Sequence, residues 1–215
     1  MNSTELWFVF DPLCGWCYAA HPALASLQAG CEIPLRFFPS GIFAGANSRP
    51  MTAEFRDYAW GHDQHIQQLT GQAFTEVYYR QVLSNFSRPL DSATATLAFH
   101  VLYQQAPERG VELLHRIQAL RYVHGQDITS PEVLAGLAPE FGMARADFLA
   151  AFAPGSTAVT ELQAVLGTTQ GLMQQLRLRG VPDLILHGPQ GNVPVPTALL
   201  YRDGVELAAW IKARL

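Results

Sequence analysis

The apolar pattern of the chain changes character twice. Leu6-Trp7-Phe8-Val9-Phe10 is a continuous apolar, aromatic-rich run, and it predicts a buried strand. Asp11-Pro12-Leu13 supplies a short turn, and residues 14–29 read as a helix. Pro34-Leu35-Arg36-Phe37-Phe38-Pro39 predicts a second strand. Together these form a β-α-β unit, whose right-handed crossover makes the two strands parallel. Residues 40–50, with Gly41, Gly45 and Pro50, read as a loop. The first change follows. From Thr52 to about Gln175 the pattern is helical, with segments over 53–69, 74–83, 92–105 and 108–124. Asp91 or Ser92 caps the third of these. Thr129-Ser130-Pro131-Glu132 opens a further helix that runs to Phe141 and stops at Gly142. A short helix over 145–152 and a long one over 156–179 complete the stretch, the latter weakened by Gly167 and Gly171. The second change comes after Pro182. Strands are expected over 183–187 and 197–201, with turns at 187–192 and 202–204 and an amphipathic closing helix over 205–215.

Sheet elements thus sit at both ends. One discontinuous α/β domain is expected from residues 1–41 plus 156–215. Residues 42–155, roughly 110 in number and enough for a small core, form an inserted helical subdomain. Composition sharpens this. In 215 residues, 49% are hydrophobic and 15% charged, which excludes disorder. The net charge is −4 with no basic cluster, which argues against nucleic acid as a partner. No apolar run approaches the roughly twenty residues of a membrane span. The first thirteen residues hold no Lys or Arg, so a secretory signal is not expected and the cytoplasm is. There, thiols rest reduced.

The candidate chemistry is Cys14-Gly15-Trp16-Cys17, two of the three cysteines, at a strand-to-helix junction. Unpaired N–H groups at a helix start favour a thiolate. Chance alone would give some cysteine pair this spacing roughly 3% of the time, so spacing by itself is only moderately specific. A second feature adds to it: Gly180-Val181-Pro182 opens directly onto the apolar strand at 183–187. Pro22 bends the helix that carries the pair.

Phe10-Asp11-Pro12-Leu13-Cys14-Gly15-Trp16-Cys17-Tyr18 and Gly180-Val181-Pro182 resemble the DsbA-type branch of the thioredoxin superfamily, especially its FrnE-like members. His124-Gly125-Gln126-Asp127-Ile128 and Phe141-Gly142-Met143 resemble that branch's helical segment. The resemblance implies a thioredoxin-like fold and a protein disulfide oxidoreductase or isomerase. Cys14 would be the exposed nucleophile and Cys17 the buried resolving thiol. Gly15, Trp16, Val181 and a cis Pro182 would meet the substrate, with the Val181 backbone turned outward to pair with an extended peptide. Gly15-Trp16 replaces the proline and histidine of DsbA proper, which implies a less oxidising pair. Relatives often bury an acid six residues before the first cysteine. Here Phe8 stands there, and Asp11 is the candidate for proton handling beside its ordinary turn role.

No cofactor is expected, apart from glutathione as a reductant. Expected partners are disulfide- or thiol-containing proteins and small thiols, around a monomer or homodimer. Cys31 reads as a structural hydrophobe. His62 and His65 with the cysteines would make a Cys₂His₂ zinc set, but they read as a solvated helix face, so no metal is expected. Tyr18 occupies the place where haem attachment needs histidine. Two other functions compete. One is a glutathione-dependent transferase or isomerase of the kappa-class and hydroxychromene-carboxylate isomerase type, against which the complete cysteine pair argues. The other is a redox-responsive binding module without turnover.

Overall fold

The computed structural model describes residues 4–202 and 204–215. β1 (Glu5–Phe10) pairs in parallel with β2 (Leu35–Pro39) and antiparallel with β3 (Asp183–Gly188). β4 (Gly191–Pro194) closes the order β2-β1-β3-β4 as an edge strand. The helices are α1 (Gly15–Ala19), α2 (His21–Gly30), α3 (Ala53–Thr70), α4 (Glu76–Tyr78), α5 (Ala93–Gln105), α6 (Gly110–Tyr122), α7 (Pro131–Leu134), α8 (Arg145–Ala150), α9 (Thr157–Leu176) and α10 (Gly204–Lys212).

Alternation along β1 divides the core. Leu6, Phe8 and Phe10 point to one face and join a buried cluster that continues through α2, α5, α6 and α10. The ring of Phe10 meets Phe99 at 4.8 Å and Phe37 at 5.9 Å, edge to face. Val9 points to the other face, where Ile185 and Leu172 of α9 cover it. The sheet is therefore buried on both sides, which is why β1 reads as a continuous apolar run.

Several expectations are corrected. The helix expected over 14–29 is two helices: Pro22 has no N–H to donate, and the axis breaks at Ala20. Residues 79–83 form a π-helical turn that continues α4. The helix expected from Pro131 to Phe141 is α7 followed by a 3₁₀ turn, ended by Gly142 at φ 82°. α9 stops at Leu176, where Arg177 adopts a left-handed cap. The turn expected at 187–192 contains the start of β4, a short strand with Gly191 at φ 103° at the hairpin. The strand expected at 197–201 is a 3₁₀ turn. Pro194 and Pro196 remove ladder donors just before it, and the Leu199 N–H folds back on the Pro196 carbonyl at 2.9 Å. Ser92 starts α5 without capping it. Its hydroxyl is taken by Asp11, and Asp91 instead accepts the Ala93 N–H at 2.8 Å. Of the turn expected at 202–204, Asp203 lies outside the described residues.

Candidate active site

Cys14 is the N-cap of α1, in extended conformation, and its Sγ accepts the Cys17 N–H at 3.3 Å. Both cysteines are free thiols. The expectation of an exposed Cys14 is corrected: it is only 8% exposed, and Cys17 only 1%. The cover on Cys14 comes from the far end of the chain. The Val181–Pro182 bond is cis, and the Val181 carbonyl lies 3.5 Å from Cys14 Sγ as acceptor of its thiol. In the dithiol form that carbonyl is thus turned onto the cysteine, not outward toward solvent. Burial pushes the Cys17 thiol well above its ordinary pKa, and the hydrogen bond and charge of Cys14 push the same way.

The loop before the pair is pinned from beneath. The Tyr122 hydroxyl donates to the Leu13 carbonyl at 2.8 Å, and Gln118 donates to Pro12 at 3.5 Å, both from α6. Asp11 is fully buried. Its carboxylate accepts the Leu13 N–H at 2.9 Å, the Ser92 hydroxyl at 2.9 Å and the Phe43 N–H at 3.4 Å. Burial nonetheless raises it to about 6, because it outweighs these donors. Asp11 therefore closes an Asx turn and ties three segments together directly under the pair, and its charge is felt at Cys17.

Trp16 is half-buried between Tyr201, at 4.7 Å, and His65, at 6.4 Å. Burial holds the Tyr201 phenol above its usual range, with both cysteines adding to the rise. His62 stacks obliquely on Tyr58 instead of meeting the cysteines. Among the described residues, no group of three or more His, Cys, Asp or Glu is spaced to hold a metal ion. Cys31 caps the end of α2, partly buried against the core and away from the pair. Cys31→Ser should leave disulfide-reductase turnover within about twofold of wild type, measured by insulin reduction.

Asp63 and Tyr122, which back the active-site turn at Gly15 and Leu13, and Tyr78 and Arg121 behind them, are not visible as site residues in the sequence. One signal was present: Arg121 falls on the buried stripe of α6, four residues after Ile117, where a cation needs a partner.

A model of the DSBA-like thioredoxin domain matches residues 5–199. No curated protein matches the chain significantly. Among solved structures, the cytosolic disulfide reductase DsbM from Pseudomonas aeruginosa is 29% identical, with 98% of each chain covered and a TM-score of 0.83. The same protein with GSH gives 28%, 98% of each chain and 0.82. A 2-hydroxychromene-2-carboxylate isomerase shares the fold at 17% identity, covering 98% of this chain and 96% of its own, with a TM-score of 0.64.

Proposed function

The chain belongs to the DSBA-like thioredoxin domain family, and on that premise we propose that it is a thiol–disulfide oxidoreductase that cycles the Cys14/Cys17 pair and is returned to the dithiol by glutathione. The observation that carries the reading is the capping geometry. Cys14 Sγ receives the Cys17 N–H, a donor that stabilises negative charge on sulfur. Burial meanwhile keeps Cys17 protonated until it is needed.

In the forward half-reaction the Cys14 thiolate attacks one sulfur of a partner disulfide. The other partner sulfur leaves and takes a proton. Cys17 then loses its proton and attacks Cys14, giving the Cys14–Cys17 disulfide and a dithiol partner. The buried Asp11 beneath the pair is the candidate acceptor of the Cys17 proton, its carboxyl being poised near 6. Two glutathiones complete the cycle: the first attacks the Cys14–Cys17 disulfide, the second resolves the mixed disulfide, and glutathione disulfide leaves. Trp16 and Gly15, with the Val181-Pro182 turn, form the surface that a partner meets. The Val181 carbonyl now on Cys14 becomes an acceptor for partner backbone once the thiol proton is lost.

The likeness to a cytosolic reductase, and to its glutathione-bound form, supports reduction as the net direction, glutathione as the small thiol and the cytoplasm as the compartment. Among the described residues, no helix is long and apolar enough to cross a membrane. The test is a trap. Cys17→Ala should accumulate a stable mixed disulfide on Cys14 when given disulfide-containing protein partners or glutathione disulfide, the displaced sulfur leaving as a thiol, seen as a mass adduct that dithiothreitol removes. Rapid turnover by that variant, or an adduct carried by another cysteine, would refute the assignment. Glutathione conjugation of an electrophile at rates above insulin reduction would favour the transferase reading instead.

A further inference from the structure

Asp63 is an acid that the disulfide-exchange scheme leaves unused. It lies on α3, 7% exposed, across from the dipeptide between the two cysteines. One carboxylate oxygen accepts the Tyr78 hydroxyl at 2.9 Å. The other oxygen faces Gly15 so closely that a Cβ built there would stand 2.7 Å from it. Gly15 is helical, with no positive φ to explain a glycine. The carboxyl group accounts for it: any larger residue would displace Asp63.

The far side of this arrangement is a buried cation. Arg121 is 5% exposed, lies over the rings of Tyr78 at 5.3 Å and Tyr122 at 5.8 Å, and its Nε has no hydrogen-bond partner among the described residues. Guanidinium cannot shed its proton, so Asp63 is the acid that answers its charge. The result is a chain from Arg121 through Tyr78 to a carboxyl set against the active-site turn. Tyr122, which feels both Asp63 and Cys14, pins the same turn at Leu13.

We propose that Asp63 is a positioning residue of the thiol pair: its carboxyl, held by the Tyr78 hydroxyl against Gly15, opposes negative charge on Cys14 and so makes the pair more reducing. This rests on the functional reading above. A negative charge beside a thiolate disfavours it, and a reduced pair whose Cys14 thiolate is less stable is a stronger reductant. Burial raises Asp63 to about 7, with Tyr78 and Arg121 pulling it down, so the opposing charge itself grows across the neutral range. Around Asp63 the titratable or charged groups are Tyr78, Arg121 and Tyr122. Around the cysteines they are Asp11 and Tyr201, with Asp183 behind Tyr201 and His65 beyond Trp16.

Asp63→Asn keeps the acceptor for Tyr78 and removes only the charge. The rate of Cys14 alkylation by iodoacetamide, measured against pH in a Cys17→Ala, Cys31→Ser background, should shift its midpoint down. The thiolate fraction at neutral pH should rise about tenfold. In the otherwise intact chain, the equilibrium with glutathione should move several-fold toward the dithiol. A folded Asp63→Asn protein with an unchanged midpoint and an unchanged equilibrium overturns the proposal. Should that variant not fold, Gly15→Ala carries the test: its methyl pushes the carboxyl away, and the midpoint should move in the same direction. An unmoved midpoint there overturns it equally. Wild type that exchanges nothing with glutathione would sink the functional reading and this inference with it. Wild type that exchanges normally, with an equilibrium indifferent to Asp63, would sink this inference alone.

Discussion

Cys14→Ser should abolish disulfide reduction, lowering insulin turnover by at least about a thousandfold while leaving the fold intact. The loss is large because the chemistry leaves no substitute. A hydroxyl cannot form or exchange a disulfide, and Cys17 cannot take over. Cys17 is 1% exposed, and burial holds its thiol well above the ordinary range, so partners do not reach it and it carries little thiolate. Structural cost should be small. Serine is a good N-cap, and its oxygen can accept the Cys17 N–H that Cys14 Sγ accepts now. Circular dichroism and the thermal midpoint should therefore stay near wild type while activity vanishes. Residual turnover above about a tenth of wild type would mean that Cys14 is not the nucleophile.

The largest expected stability loss is at Phe8. Phe8→Ala should cost about 3–5 kcal/mol, read as a fall in the urea midpoint. Phe8 is fully buried at the centre of β1, and its ring lies 6.0 Å from both Phe10 and Phe37. Its backbone is paired on both sides, opposite Phe37 in β2 and Leu184 in β3, so the sheet cannot slide to fill the void. The position is also where relatives often place an acid. Here an aromatic cluster fills that space, and the carboxyls set against the active-site turn come from elsewhere: Asp11 at Leu13 and Asp63 of α3 at Gly15. A midpoint within experimental error of wild type would contradict this packing account.

The parts of the fold that were legible in the sequence are those where one local signal dominates. β1 and β2 are apolar runs between turn residues, and their parallel pairing follows from the intervening helix. β3 follows a Gly-Val-Pro turn, and that turn does lie against Cys14. α3, α5, α6 and α9 appear with ends shifted by only a few residues. Illegible were the elements decided by neighbours distant in sequence. Thr197–Tyr201 has strand composition, but the sheet edge is already taken by β4 and the two prolines break the ladder. The hairpin at Gly188 to Gly191 looked like a loop because β4 is short and exposed along most of its length.

The same division holds in the site. Cys14, Cys17 and Pro182 announce themselves by spacing and type. The covering of Cys14 does not, because it depends on residue 181 folding back across the whole chain. Asp11 was visible as a turn residue, and its Leu13 bond is local. Its bonds to Phe43 and Ser92 are tertiary and turn the turn into an anchor. Asp63 sits in a helix whose exposed side is rich in polar residues, so nothing local distinguishes it from its solvated neighbours. Only the approach of Gly15 and the Tyr78 hydroxyl does.

The central claim is that Cys14 and Cys17 are one two-electron couple in exchange with glutathione. Its most direct test is a titration of the wild-type protein in buffers of graded glutathione and glutathione disulfide, quenched with acid, alkylated and read by peptide mass. The account predicts that Cys14 and Cys17 lose alkylation together, as a single disulfide, along a two-electron curve, while Cys31 stays alkylated throughout. Cys14 and Cys17 both remaining alkylated at every ratio, or oxidation that appears only at Cys31, would contradict it.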